Sequence, residues 1–261
     1  MDLNTVTEVL DARERRPWLP GDAWLAGGTY LFSEPQPGLR RLVDLSRTGW
    51  TPVQVHGDGS VEIAATCTVV ELARFECAVS ELVVQCCRAF LASFKVWNLA
   101  TVGGNLCNAL PAGPMISLTA ALDGSCLLVA QDGTERRALV RDFVVGPGEH
   151  VLAEGELLRS ITLPAKALTR RTAFRQVSLY GLGRSGALVI GTAGAEFTVT
   201  VTASTTRPVH LVFAETPSEE DLRAEIDRVA VWFDDIHGLP AWRRHMTLRL
   251  AEEIRRELVG G

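Results

Sequence analysis
The chain reads as an α+β protein with a distinct C-terminal part, and three observations predict this. Short apolar strand segments alternate with brief helical patterns as far as about residue 163. Two glycine-containing turns, His56-Gly57-Asp58-Gly59 and Asp132-Gly133, sit between alternating runs as β-hairpin turns do. Further on, Phe197, Val199, Val201 and Ala203 alternate with Thr198, Thr200 and Thr202, which predicts a half-buried antiparallel strand.

Taken in order, Thr7 to Arg16 reads as helical, and Trp24-Leu25-Ala26 and Leu42-Val43-Asp44-Leu45 as strands. Val53 and Val55, then Val61 and Ile63, form the first hairpin. Thr68 can cap a short helix through Phe75, and Ser80 a longer one from Glu81 to about Phe94. Pro114 opens a helix through Leu122, with Gly124 just past its end. Strands at Cys126–Ala130 and Arg136–Val140 flank the second turn, and Leu157–Leu163 is one more strand, closed by Pro164. The stretch from Pro164 to Arg171 is the preferred boundary before the C-terminal part. There Val209–Phe213 pairs with the alternating strand, and helices follow at about Glu219–Phe233 and Pro240–Leu258. In the last, Trp242, Met246, Leu250, Ile254 and Leu258 make an i, i+4 stripe that faces a core. The arginines beside it (Arg243, Arg244, Arg255, Arg256) read as a solvated face.

With 47% hydrophobic and 22% charged residues and a net charge of −5 over 261 residues, the chain has the balance of an ordinary globular protein. Nothing in that balance favours nucleic acid or a membrane surface. The start lacks a basic segment followed by an apolar one, and no apolar run is long enough to span a bilayer, so the expected location is cytoplasmic. The six cysteines show neither C-x-x-C pairs nor metal-ligand spacing, which predicts buried, reduced thiols and no metal site. His56, His150, His210, His237 and His245 form no spaced constellation and read as surface or structural residues. No catalytic residue stands out.

Two glycine pairs carry the functional signal: Ala26-Gly27-Gly28-Thr29 and Thr101-Val102-Gly103-Gly104-Asn105. Glycine lets backbone N–H groups turn outward and approach a ligand, and successive outward amides suit a phosphate. Two such loops far apart in sequence predict that both grip one extended ligand with more than one phosphate. Gly181-Leu182-Gly183-Arg184-Ser185-Gly186 matches G-x-G-x-x-G letter for letter. A Rossmann site needs a helix opening after it, whereas Ala187-Leu188-Val189-Ile190 reads as a strand. That segment is therefore a tight connection between strands, with or without a cofactor pocket beside it.

Leu25-Ala26-Gly27-Gly28-Thr29 followed by Leu42-Val43-Asp44-Leu45 resembles the opening of the FAD-binding (medium) subunit of the molybdenum hydroxylases, of the xanthine dehydrogenase and carbon monoxide dehydrogenase type. Asn98-Leu99-Ala100-Thr101-Val102-Gly103-Gly104-Asn105-Leu106 resembles its second signature. Glu156-Leu157-Leu158 with Ile161 and Pro164, and Arg243-Arg244-His245-Met246, are similar to later segments in the same order. The resemblance implies a vanillyl-alcohol-oxidase-type fold: two FAD-binding subdomains, 1–55 and 56–166, then an antiparallel sheet with helices, 167–261. It implies FAD held by Ala26, Gly27, Gly28, Thr29 and Tyr30 on one side and by Thr101, Val102, Gly103, Gly104 and Asn105 on the other. Arg175 stands where the family commonly has a lysine, and Arg184 lies in the flavin-facing connection, as a partner for reduced flavin or as a surface residue. Pro114 replaces a family aspartate nine positions past the signature asparagine, so the ribose or adenine contact is lost or moved. The implied function is electron transfer from a 2Fe–2S small subunit, through FAD, to an external acceptor. The substrate would be hydroxylated on a molybdopterin-binding large subunit. A stand-alone flavin oxidase or dehydrogenase, and an assembly protein whose flavin site has decayed, are the competing classes.

Overall fold
The computed structural model describes residues 3–14 and 16–260. Its first sheet has three parallel strands in the order β1-β3-β2, formed by β1 (Glu8–Asp11), β2 (Asp22–Leu25) and β3 (Arg41–Asp44). The helix expected from Thr7 to Arg16 is instead β1 and one 3-10 turn, Ala12–Glu14, with Arg15 outside the described residues. Leu10 is buried and Val9 is 60% exposed, which is the period of a strand. Pairing with β3 overrides the helical propensity of the segment.

The second sheet is antiparallel, in the order β4-β5-β10-β6-β7. Its strands are β4 (Val53–Val55), β5 (Val61–Ala64), β6 (Ser125–Val129), β7 (Glu135–Leu139) and the central β10 (Leu157–Leu163), and both expected hairpins are in place. Four helices belong to this part: α1 (Val69–Ala73), α2 (Ser80–Ala89), α3 (Phe94–Trp97) and α4 (Val102–Cys107). Thr68 and Glu71 close a capping box on α1. The helix expected to run to Phe94 stops at Ala89, because Ser93 caps α3 and Trp97 Nε1–H donates to the freed Phe90 carbonyl at 3.1 Å. Its expected cap, Ser80, donates instead to Cys77 O at 2.6 Å. The buried helix α5 (Pro114–Ala121) and the short α6 (Val140–Phe143) follow, then a hairpin of β8 (Val144–Gly146) and β9 (Glu149–His150), and α7 (Ala165–Leu168).

The last sheet is an antiparallel meander of β11 (Arg171–Val177), β12 (Ala187–Ala193), β13 (Phe197–Thr202) and β14 (Val209–Phe213). Helices α8 (Glu219–Asp227) and α9 (Pro240–Gly260) complete the chain. Helix α8 ends six residues before the expected Phe233, because the following segment pairs as a strand would: Phe233 N–H donates to Ser204 O and Thr206 N–H to Val231 O. Ser218 caps its start.

Strand β13 departs from the half-buried expectation, since every residue in it is buried. Val199 and Val201 lie in a core with Leu250, Ile254 and Leu258 of α9. The threonine face turns to α5, where Leu188, Ile190 and Ala203 join the larger core of the flanking sheet and helices. Thr198 bonds Thr192 at 2.7 Å, Thr200 bonds His210 Nδ1 at 2.8 Å, and Thr202 bonds Ser117 of α5 at 2.6 Å. Paired in this way, the hydroxyls avoid the cost of unsatisfied burial. A second revision concerns Arg243, expected on a solvated face and found 1% exposed. Among the described residues no helix is long and apolar enough to cross a membrane.

Burial holds His210 below the usual imidazole range, with Arg141 and Arg170 nearby opposing the help of Asp123, 3.8 Å away. A histidine whose folded pKa is depressed contributes stability above its unfolded value, and that contribution is lost as pH falls toward its folded value. Stability should therefore drop as pH is lowered from about 6.5. Denaturant melts of the wild type and His210→Gln between pH 7.5 and 5 check this: the drop in that window should be smaller in the variant.

Candidate functional site
The chain leaves β2 at Leu25 and turns sharply, with Phe32 N–H donating to Gly28 O at 2.9 Å. Gly28 sits at φ +68°, a left-handed conformation that favours glycine. Gly27 is pressed on the second signature: a Cβ there would lie 1.7 Å from the Leu99 carbonyl oxygen. Gly27 thus packs on the backbone of the segment that leads into the second glycine pair, some seventy residues further on. The two glycine pairs form one wall of a cleft of about 450 Å³, within the size range of small-molecule sites.

Ala26, Gly27, Gly28, Thr29, Tyr30, Thr101, Gly103, Gly104 and Asn105 all line this cleft. Among the described residues, no backbone N–H of 26–30 donates to a protein acceptor. Five consecutive residues on the wall of a cleft thus leave their N–H groups to water or a ligand.

The second signature behaves differently from expectation, for it is a helix rather than a loop. Thr101 caps α4, its Oγ1 accepting from Gly104 N–H at 3.0 Å. Val102 N–H donates to Cys67 O at 2.8 Å and Gly103 N–H to Ala65 O at 2.9 Å, so these amides are spent inside the fold. Val102 is fully buried and does not line the cleft. Gly103 is required for packing, since a Cβ would fall 2.4 Å from the Ala65 Cβ. A valine there would unseat α4, rather than only obstruct the cleft. What α4 presents is its side chains. Asn105 Oδ1 accepts from Met115 N–H at 3.1 Å, which fixes the amide and leaves Nδ2 uncommitted. Pro114, at the first position of α5, is buried and does not reach the cleft.

Arg175 and Arg184 do not line the cleft. Arg175 pairs with Glu253 at 3.3 Å and Glu257 at 2.5 Å on α9, and Arg184 is exposed on the connection from β11 to β12. That connection is a tight one, with Gly186 N–H donating to Val177 O and Gly183 N–H to Tyr180 O.

Several cleft residues have no counterpart in the motifs. Trp24 Nε1–H donates to Glu156 O at 3.2 Å, and the Trp18 ring lies 5.0 Å from Trp24. These contacts tie the three-stranded sheet to β10. Glu156 is buried; its ion pair with Arg136 and a hydrogen bond from Ala153 N–H hold its carboxyl below the usual range. Asn108, at the C-cap of α4, and His150, in β9, also line the cleft. Only tertiary structure brings His150 here. Burial pushes the Cys107 thiol on this wall up to about 12, so it is a poor nucleophile at neutral pH.

Residues 2–166 match the family model described as "FAD binding domain in molybdopterin dehydrogenase". The caffeine dehydrogenase subunit beta of Pseudomonas sp. (strain CBB1) is 32% identical over 88 residues, which is 34% of this chain and 30% of that protein. The alignment therefore spans less than a third of that relative. In three dimensions the chain resembles a chain of reconstituted CO dehydrogenase from Oligotropha carboxidovorans, with a TM-score of 0.82 and 20% identity, covering 98% of this chain and 99% of that one. It also resembles a chain of quinoline 2-oxidoreductase from Pseudomonas putida 86, with a TM-score of 0.78 and 17% identity, covering 99% of each. At those identities the likeness concerns the fold. The family match covers well over half of the chain, and the protein belongs to the FAD-binding domain family of molybdopterin dehydrogenases.

Proposed function
We propose that this chain is the electron-transfer subunit of a molybdenum hydroxylase complex. In this reading it receives electrons from a 2Fe–2S small subunit and passes them to an external acceptor, while a molybdopterin-binding large subunit acts on the substrate. The observation that carries the reading is the run of unpaired backbone N–H groups at 26–30 on the cleft wall. A pyrophosphate has the charge and the acceptors to satisfy them. The hydroxyls of Thr29 and Thr101 and the Asn105 amide add donors around it. Gly27 and Gly28 let the turn pack closely on Leu99 and Phe32, which sets where the backbone of 26–30 lies. Once bound, FAD would supply the redox chemistry, exchanging electrons singly or in pairs. The chain's own part is to bind, orient and charge-balance it, in keeping with a cleft that holds no activated nucleophile.

Native mass spectrometry of the protein purified with its partners tests this. The expected result is one FAD on this chain, in a complex with a molybdopterin-bearing and an iron–sulfur chain. A flavin-free chain would overturn the cofactor assignment. A solitary chain oxidising a small molecule would overturn the subunit assignment.

A further inference from the structure
His150 lines the cleft from the second strand of the β8–β9 hairpin. Two contacts hold it. Its ring stacks on Phe143 with centroids 5.7 Å apart, and Gly148 N–H donates to Ala109 O at 3.0 Å, seating the hairpin against the end of α4. The two ring nitrogens differ. Nδ1 is buried with no hydrogen-bond partner. An unpaired buried acceptor is tolerated more readily than an orphaned N–H, so the ring proton belongs on Nε2. Nε2 is not among the buried unpartnered atoms, and no described protein group bonds it, so it reaches open space. The result is a donor, fixed in direction, on the cleft wall.

Such a donor suits a hydroxyl or a ring nitrogen, while the amide run at 26–30 suits phosphate. The cleft is lined by residues between 18 and 158, with none from the C-terminal sheet. A redox ring has to lie where electron donors and acceptors can approach it. The cleft is therefore left for the adenosine half of an FAD. Pro114, buried at the start of α5, offers that half no polar group. We infer that His150 Nε2–H hydrogen-bonds the adenosine half of the cofactor. This inference rests on the FAD reading above.

Titrating the full chain, freed of flavin, with FAD, ADP and FMN tests it. His150→Leu should weaken both FAD and ADP by about tenfold, the loss of one good hydrogen bond. FMN, which lacks the adenosine, should bind as it does to the wild type. His150→Gln carries an amide N–H at similar reach and should restore most of the affinity. Should the leucine variant not fold, His150→Phe keeps the stack on Phe143 and removes the donor. Undiminished ADP binding by the leucine or phenylalanine variant would overturn the inference. So would a glutamine variant as weak as the leucine one, which would make ring packing the cause. A wild-type chain that binds no FAD would be a different result, overturning the FAD reading and this inference together.

Discussion

Replacing Gly27 with alanine should strip the protein of FAD, with at least a hundredfold loss of affinity. The added Cβ would stand 1.7 Å from Leu99 O and 2.6 Å from Leu99 C, and both atoms are backbone. No rotamer change relieves such a contact, so the turn after β2 has to move away from the second signature. That movement spreads the five unpaired amides out of register with a pyrophosphate, and a small displacement of several converging donors is costly. Gly28→Ala is the informative comparison. There the collision is with side-chain atoms of the Phe32 ring at 2.8 Å rather than with backbone, and the left-handed backbone adds about 1 kcal/mol of strain. Gly28→Ala should therefore keep measurable FAD while Gly27→Ala does not. Flavin fluorescence after denaturing equal amounts of each purified variant reads this directly. Equal flavin content in the two would show that the contact of Gly27 with the Leu99 backbone does not organise the site.

The second large effect concerns Arg243. Its guanidinium is buried and donates to Gly238 O and Gly186 O at 2.8 Å, to Ala203 O, and to the Asp235 carboxylate. One side chain thus gathers the β11–β12 connection, the end of β13 and the loop before α9, with the Phe233 ring 5.3 Å away. Arg243→Met keeps much of the volume and removes every donor. Three carbonyls and a carboxylate lose a partner, and breaking a buried charged pair costs on the order of 3–5 kcal/mol. For a chain of this size that lowers the melting temperature by about 10 °C. Arg243→Lys should recover part of the loss, because an ammonium reaches fewer of these acceptors than a planar fork. A differential scanning comparison of the three proteins decides it, and a methionine variant within about 2 °C of wild type would refute the clamp.

Where turn chemistry or end-capping is local, the fold was readable from the residues. Asp132-Gly133 and Asp58-Gly59 marked their hairpins, and Thr68 and Pro114 marked helix starts, because each acts within a few residues of itself. Locally α4 reads as a loop, because two adjacent glycines cost about 2 kcal/mol of helical propensity. Thr101 at its cap and Ala65 beneath Gly103 offset that cost, and only the second is out of local reach. The threonines of β13 looked like a wetted face until α5 covered them. Arg243 looked solvated because its acceptors lie on three separate segments.

The cleft divides in the same way. Its glycine-pair wall was legible because glycines leave a recognisable spacing. The rest of the lining, with Trp24 on Glu156 and His150 on Phe143, is assembled from contacts that no short window contains. Glu156 reads in sequence only as part of a segment, although its pairing with the half-exposed Arg136 helps to hold the cleft edge.

The hydroxyl-bearing sheet face bears on how this protein can be divided. Helix α5 is buried all round, and one of its sides is closed only by β12 and β13. The part that carries the family match ends at residue 166, before either strand begins. A chain cut there would leave Ser117 without Thr202 and would open to water the side of α5 now roofed by Leu188 and Ile190. Helix α5 is thus covered on that side by a sheet that never touches the cleft, and a version of the protein shortened to the family match should lose stability through α5.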